Sequence, residues 1–319
     1  MERNVLGIDI GGTKIALIYA KEKDGIELVD KVTFPTLQVD DTIREIFSRL
    51  RELMEKHGLN EDNTHAIGIS CGGPLNSEQG IVMSPPNLPG WDHIPIVDRV
   101  KERFHIPCAL QNDANACALA EWKFGAGRGT KNMVFLTFGT GMGAGLILNG
   151  QLYSGTNDNA GEAGHIRLAP FGPVGYGKAG SFEGFASGGG IAQLARIKLM
   201  EKFQMGETVD WCVREALDAV TAQTVALNAG KGDPLALEII RISGTYLGRG
   251  LAVLIDILNP ECIVIGSIYS RNESLFRPWV EEILQKEALE PARQVCRIKP
   301  AELGEHIGDY AAVSIAANI

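Results

Sequence analysis

The chain has 319 residues, 45% hydrophobic and 22% charged, with a formal net charge of −9 from 39 acidic and 30 basic residues. That make-up suits a globular protein long enough to bury a large core and to form two domains. The acidic balance argues against a general nucleic-acid binder, whose hold on phosphate comes from clustered Lys and Arg, and no run of about 18 apolar residues is available to cross a membrane.

The chain opens on an apolar strand pattern, NVLGIDI (4–10), without the basic region and long apolar run of a signal peptide. A second strand, IALIYA (15–20), follows a GGTK turn, and EKDGIELVDKVTF adds a third in a meander. Apolar residues at Ile43, Ile46, Phe47, Leu50, Leu53 and Met54 have helical spacing and predict a helix over 41–57. AIGISCGGP reads as a buried strand running into a Gly-Pro loop. Residues 93–104 read as helix, IPCALQ as a short strand and Asp113 to Phe124 as the next helix.

A second block begins near Gly125. KNMVFLTFGTGMGAGLILNG is strand, glycine-rich turn, strand, the layout of the first hairpin, and hints at an internal duplication. Helices are expected over 190–204, 209–217, 221–229 and within 235–257, then a buried strand over 262–268. A helix near 274–287, a strand near 294–299 and a helix near 309–318 complete the chain. Strands and helices mixed in this order indicate an α/β protein. Cys71, Cys108, Cys117, Cys212, Cys262 and Cys296 are scattered, mostly in apolar surroundings, as suits reduced, buried thiols of a cytoplasmic protein.

Two turns carry chemistry. DIGGTK (9–14) sets an Asp at a strand end before two glycines, a Thr and a Lys. Glycine lets backbone amides approach a phosphate closely, and Asp9 is placed to hold Mg²⁺ through water, since Mg²⁺ keeps much of its hydration shell. The plainer reading is a tight turn needing positive φ. FGTGMGAG (138–145) is the second turn. A strand follows it rather than a helix, so it is no dinucleotide fingerprint, and no Gly-Lys-Thr/Ser ends it, so it is no Walker loop. Two such hairpins, one in each half, suggest two clamps on one phosphate chain.

Together DIGGTK, FGTGMGAG, the Asn112-Asp113 pair, GEAGH (161–165), PPNLPGW and a final GDYAAVSIAAN resemble the ROK family of sugar kinases, in order and over essentially the whole chain. The resemblance implies an actin-like ATPase (ribonuclease-H-like) fold, two α/β lobes with an interlobe cleft. The N-terminal lobe would span 1–124, with a helix of about 305–319 packing back on it, and a larger C-terminal lobe would span 125–304. The implied activity is transfer of phosphate from ATP, or in some members polyphosphate, to a hexose at the 6-hydroxyl. Glucose is the first guess by family frequency, with fructose, mannose, allose and N-acetylhexosamines as alternatives. A sugar-binding regulator is the rival; the regulators of the family carry an N-terminal winged helix, for which there is no room before DIGGTK. Charge, hydropathy and cysteine usage lead us to expect a cytoplasmic protein without nucleic-acid or membrane partners, and the resemblance implies a homodimer or homotetramer.

The resemblance also assigns residues. Asp113 becomes the catalytic base, since a sugar hydroxyl is a poor nucleophile until its proton is accepted; on sequence alone the Asn112-Asp113 pair reads equally as a helix N-cap. Asn87, Asn112, Glu162, His165 and Glu183 become sugar ligands, with Trp91 as packing. Gly11, Gly12, Thr13 and Lys14, with Gly139, Thr140, Gly141 and Gly143, cradle the phosphates, and Gly266 lets the nucleotide approach. Many members hold a structural zinc with the GEAGH-type His and three cysteines of CxCGxxGC. Here Val174, Tyr176 and Ser181 stand at those cysteine positions, so no zinc of that kind is expected. His165 would then be held by a hydrogen bond, and aromatic packing by Tyr176 and Phe182 would order the loop. Gly266-Ser267 replaces a pair that is commonly Gly-Gly.

Overall fold

The computed structural model describes residues 2–319. The first elements are β1 (Arg3–Ile10), β2 (Lys14–Glu22), β3 (Ile26–Pro35), α1 (Val39–Lys56), β4 (Thr64–Cys71), β5 (Leu75–Asn76), β6 (Ile81–Val82), α2 (Ile96–Phe104), β7 (Cys108–Asn112) and α3 (Asp113–Phe124). There follow β8 (Met133–Leu136), β9 (Ala144–Leu148), β10 (Gln151–Tyr153), β11 (Val174–Gly175), β12 (Lys178–Ala179), α4 (Phe182–Phe185), α5 (Gly188–Gln204), α6 (Ala222–Gly230) and α7 (Pro234–Leu258). The last are β13 (Cys262–Ile265), α8 (Ser267–Arg271), α9 (Glu273–Glu287), α10 (Glu290–Val295), β14 (Arg297–Pro300) and α11 (Ile307–Ala316). Among the described residues no helix is long and apolar enough to cross a membrane.

The chain forms two compact units. One contains residues up to Thr130, Gly145–Ala160 and Glu302–Ile319; the other contains Lys131–Ala144 and Gly161–Ala301. The expected lobes meet near 124 and 304, with residues 145–160 in the later one. That segment joins the first unit because a Cβ on Gly145 would stand 2.6 Å from the Ala114 carbonyl, and because the Ser77 amide and hydroxyl donate to Asp158 at 2.8 and 2.6 Å. The buried Glu121 carboxylate accepts from the amides of Ala126, Glu302 and Leu303, which keeps the 125–130 turn and the returning chain beside α3.

The first unit's sheet has the order β3-β2-β1-β4-β7, with β1–β2 and β2–β3 antiparallel and β1–β4 and β4–β7 parallel. Both faces of β1 are covered, so it reads as a nearly continuous apolar run. Leu6, Ile8 and Ile10 pack with Ile43, Ile46 and Leu50 of α1, while Val5 packs with Ala312 and Val313 of α11. Gly7 and Gly68 are paired across β1 and β4, and α11 lies against both. A Cβ on Gly68 would stand 2.1 Å from the Ala312 carbonyl. The alternation of strand faces therefore puts Asp9, two residues after Gly7, on the face that α11 covers.

In the second unit β8, β13 and β14 are parallel, and MVFL and CIVI are fully buried. The same succession recurs in the chain: β1 pairs parallel with β4 and β4 with β7, as β8 does with β13 and β13 with β14, β1 and β8 are each followed by a glycine turn, and β9 pairs antiparallel with β10 as β2 does with β3. The Asn149-Gly150 turn between β9 and β10 has positive φ at both residues, as a two-residue hairpin needs. α7 starts at Pro234 behind an Asp233 cap and ends at Asn259 in left-handed geometry. Its Gly244, Gly248 and Gly250 admit Trp279, Ile283 and the ring of Phe182.

Three expectations are corrected. Residues 209–217 are not a helix: Val209 and Cys212 form an isolated bridge, and a 3-10 turn occupies Arg214–Ala219, its Leu217 and Asp218 carbonyls tied to the Arg196 guanidinium. The strand expected over 262–268 stops at Ile265, where Ser267 takes a positive φ and begins α8. α10 precedes the strand expected near 294–299.

Candidate active site

The first unit gathers carboxylates at the ends of its strands. Asp9 is the penultimate residue of β1, and burial, then the charges of Asp309 and Asp113, push its carboxyl up to about 6; Lys14 and Lys31 pull it back. Asp309, buried on α11, is ion-paired to Lys31, whose ammonium donates to both carboxylate oxygens at 2.6 and 2.8 Å. Cys71 and Cys117 face the same carboxylates; burial pushes the Cys71 thiol up to about 12 and raises Cys117 as well, so neither is a nucleophile.

Asn112 and Asp113 divide two duties. Asn112 is the cap of α3, its side-chain oxygen accepting from the Asn115 amide at 2.7 Å. That occupies one lone pair of the oxygen and leaves the side-chain NH₂ wholly available to a ligand. Asp113 is released from capping; one oxygen accepts from the Ala114 amide at 2.8 Å. The protein around Asp113 raises its carboxyl above the ordinary value and the Ala114 bond lowers it again. Its side chain is nonetheless exposed, so water reaches it and holds that rise down.

The DIGGTK turn is not glycine-rich for the sake of φ. Neither Gly11 nor Gly12 takes a positive value. A Cβ on Gly12 would stand 2.4 Å from the Asn87 carbonyl, so the small residue lets the 83–91 loop close against the turn. Gly11 donates to the Lys14 carbonyl at 3.1 Å, and its own carbonyl accepts from the Thr36 hydroxyl. The amides of Gly12 and Thr13 have no partner within the turn. Asn87 is exposed, its side chain beside Gly72, and a hollow of about 440 Å³ opens by Gly12, Asn87 and Pro89. Trp91 is buried in the core, as expected of a packing residue.

The second unit holds the other turn. Thr137 and Gly143 exchange bonds at 3.0 Å, and the Gly139 amide donates to the Gly141 carbonyl. Again none of Gly139, Gly141 and Gly143 takes a positive φ. Glu183 braces the turn: its Oε2 accepts from the Met142 amide at 2.9 Å and lies 2.8 Å from where a Gly141 Cβ would be. The first amides of α5, Gly188 and Gly189, donate to the carbonyls of Gly139 and Thr140. The Thr140 and Gly141 amides remain for a ligand. Beside them lies a cavity of about 830 Å³, walled in part by Ala192, Val220, Ala226 and Leu227, with Arg196 and Arg271. Ser267 lines it too, held at φ 51 where a glycine would be unstrained. Gly266 caps α8, with Phe135 and the Thr137 carbonyl against it.

The GEAGH segment is fastened to that turn. Gly161, at φ 93, leaves room for the Ala144 carbonyl, its own carbonyl accepts from the Ala144 amide, and Gly164 packs on the Met142 carbonyl. Glu162 is exposed and His165 half-buried at the end of a 3-10 turn. The imidazole has no hydrogen-bond partner among the described residues, contrary to expectation. Its partner is the Tyr176 ring, edge-on at 5.5 Å between centroids, and the His165 carbonyl accepts from Lys178 Nζ at 2.7 Å. Phe182 is fully buried against Gly250 of α7 and anchors the other end of the loop. Among the described residues no three His, Cys, Asp or Glu side chains are grouped to hold a metal ion.

Several of these residues carry no assigned role in the sequence pattern. Asp309 lies in the GDYAA motif, a visible signal without an assigned role. Lys31, Arg196, Ala226 and Arg271 carried no local signal. SGGG (187–190) at the head of α5, a Ser cap before three glycines, could have marked the second turn's partner.

The ROK family model matches residues 5–319. The chain is 33% identical to the glucokinase of Halalkalibacterium halodurans over 96% of its length and 93% of that protein's. It is 27% identical to a solved ROK family glucokinase of Streptomyces griseus, in complex with glucose and AMPPNP, at a TM-score of 0.77 over 99% of this chain and 100% of that one. The DNA-binding transcriptional regulator NagC of Escherichia coli is 31% identical over 79% of this chain and 60% of its own length.

Proposed function

The chain belongs to the ROK family, and from that premise we propose an ATP-dependent kinase that phosphorylates a hexose at its 6-hydroxyl, with glucose the first substrate to try. The fold is the actin-like ATPase fold of the family's solved kinases. Over nearly its full length the chain is similar to glucokinases, one of them solved with glucose and a non-hydrolysable ATP analogue.

The observation that favours a kinase over a sugar-binding regulator is Asp113. Its helix is already capped by Asn112, so a solvated carboxylate at the head of α3 needs another use. In this reading Asp113 accepts the proton of the sugar hydroxyl as the bond to phosphorus forms. Asn87 and the Asn112 amide in the first unit, and Glu162, His165 and the free oxygen of Glu183 in the second, bind ring hydroxyls. The Gly12 and Thr13 amides with Lys14, and the Thr140 and Gly141 amides, bind phosphate oxygens. Mg²⁺ would neutralise charge on the transferred phosphate. Asp9 fits it: Mg²⁺ commonly takes one or two carboxylates plus water and substrate phosphates, and a half-buried carboxylate crowded by like charges favours a cation. The cavity beside Thr140, with apolar walls and room for a nucleoside, supports ATP rather than polyphosphate as donor.

The similarity to NagC keeps one alternative, a protein that binds sugar without transferring phosphate. A hexose panel decides. Sugar-dependent ADP release identifies a kinase and its sugar; sugar binding without ADP release would select the regulator. A cytoplasmic homodimer or homotetramer completes the proposal, checked by light scattering.

A further inference from the structure

The hairpin β11–β12 pairs Val174 with Ala179 and Gly175 with Lys178, leaving Tyr176-Gly177 as a two-residue loop. Both loop residues have positive φ, 43° and 74°. Such loops favour Asn, Asp or Gly at the first position, and a bulky L-residue there is strained. Burial does not offset the strain, because Tyr176 is 77% exposed. The hairpin is held firmly beneath it. The Gln193 side chain of α5 bonds both the amide and the carbonyl of Val174, and the Gly180 amide donates to the Pro173 carbonyl.

What the strained residue touches is His165. The two rings meet at 77°, while Lys178, across the same hairpin, bonds the His165 carbonyl. An imidazole without a hydrogen-bond partner is otherwise free to turn about its side-chain torsions.

We propose that Tyr176 is a positioning residue: the hairpin presses its ring edge-on against His165 and fixes the orientation in which that imidazole meets the sugar. This rests on the reading of His165 as a sugar ligand. A specific signature follows. Tyr176→Asn suits the left-handed turn better than tyrosine does, so it should leave the fold as stable or more so while weakening sugar binding. A residue kept for structure alone would move both in one direction.

The test measures sugar KM, kcat, melting temperature and the imidazole proton shifts of His165, whose signal is identified by its loss in His165→Ala. Tyr176→Asn is expected to raise sugar KM about three- to tenfold, the scale of one edge-to-face ring contact. Its kcat and ATP KM should stay within about twofold, its melting temperature should be unchanged or higher, and the His165 resonances should move as the ring current is lost. Tyr176→Phe should match the parent protein. An unchanged sugar KM in Tyr176→Asn, with His165→Ala impaired, overturns the role of Tyr176 alone. An unchanged KM in His165→Ala removes the sugar-ligand reading beneath it. A Tyr176→Phe variant as weak as Tyr176→Asn assigns the effect to the hydroxyl and also overturns the proposal.

Discussion

Asp113→Asn removes a base while leaving almost every contact in place. The cap of α3 belongs to Asn112, and an amide oxygen at position 113 can still accept from the Ala114 amide. The position is exposed, so stability should change by no more than about 0.5 kcal/mol. Two small electrostatic effects oppose each other: a negative charge near a helix N-terminus is lost, and so is its repulsion with Asp9. Proton acceptance is what the variant cannot supply. General-base catalysis contributes about 10²–10⁴ in rate, or about 2.7–5.4 kcal/mol of barrier. In a coupled ADP-release assay kcat should therefore fall at least about a hundredfold, with the sugar Kd from calorimetry within about threefold. Turnover within about tenfold of the parent protein would refute Asp113 as the base. An equal loss of sugar binding would make it a ligand instead.

Asp9→Asn should trade function for stability. The Asp9 carboxyl is raised from 3.8 to about 6 in the fold, so between those values the folded state holds more protons and stability falls as pH rises. Above about pH 6 the cost is complete, about 1–3 kcal/mol at 1.36 kcal/mol per unit. Urea unfolding should show the variant more stable at pH 7.5, with the gain gone near pH 4, and turnover much reduced; an equal gain at both pH values would count against the crowded-carboxylate account. Glu121→Ala leaves three amides without their acceptor and should cost about 2–5 kcal/mol, with faster proteolysis of the chain after Glu302; parent-like resistance would argue against the clamp. Ala226→Trp fills the second unit's cavity and should raise the ATP KM at least about tenfold with sugar KM unchanged, whereas an unaltered ATP KM would place the nucleoside elsewhere.

Much of the architecture was legible because it is locally encoded. The strands NVLGIDI and MVFL are apolar on both faces, and α1 repeats its apolar residues at helical spacing. The helix over 209–217 failed because its fold is decided by distant groups, chiefly Arg196 gripping the Leu217 and Asp218 carbonyls. The strand after Cys262 ended early for a similar reason: the Gly266 amide bonds Leu136, and the chain turns at Ser267.

By itself the sequence determined the α/β class, the pair of glycine turns and the residues that bear chemistry, because periodicity and turn chemistry act between near neighbours in the chain. Only the tertiary structure decided what those residues are free to do. Gly12 is small for Asn87 and Gly141 for Glu183, not for φ. Asn112 caps, so Asp113 does not have to. Asp9 holds its proton more tightly because packing buries it and, beyond that, α11 returns to set Asp309 beside it, and His165 leans on Tyr176 because a strained hairpin carries that ring there. Each is an interaction between residues far apart in sequence, set by packing, and no local pattern encodes it.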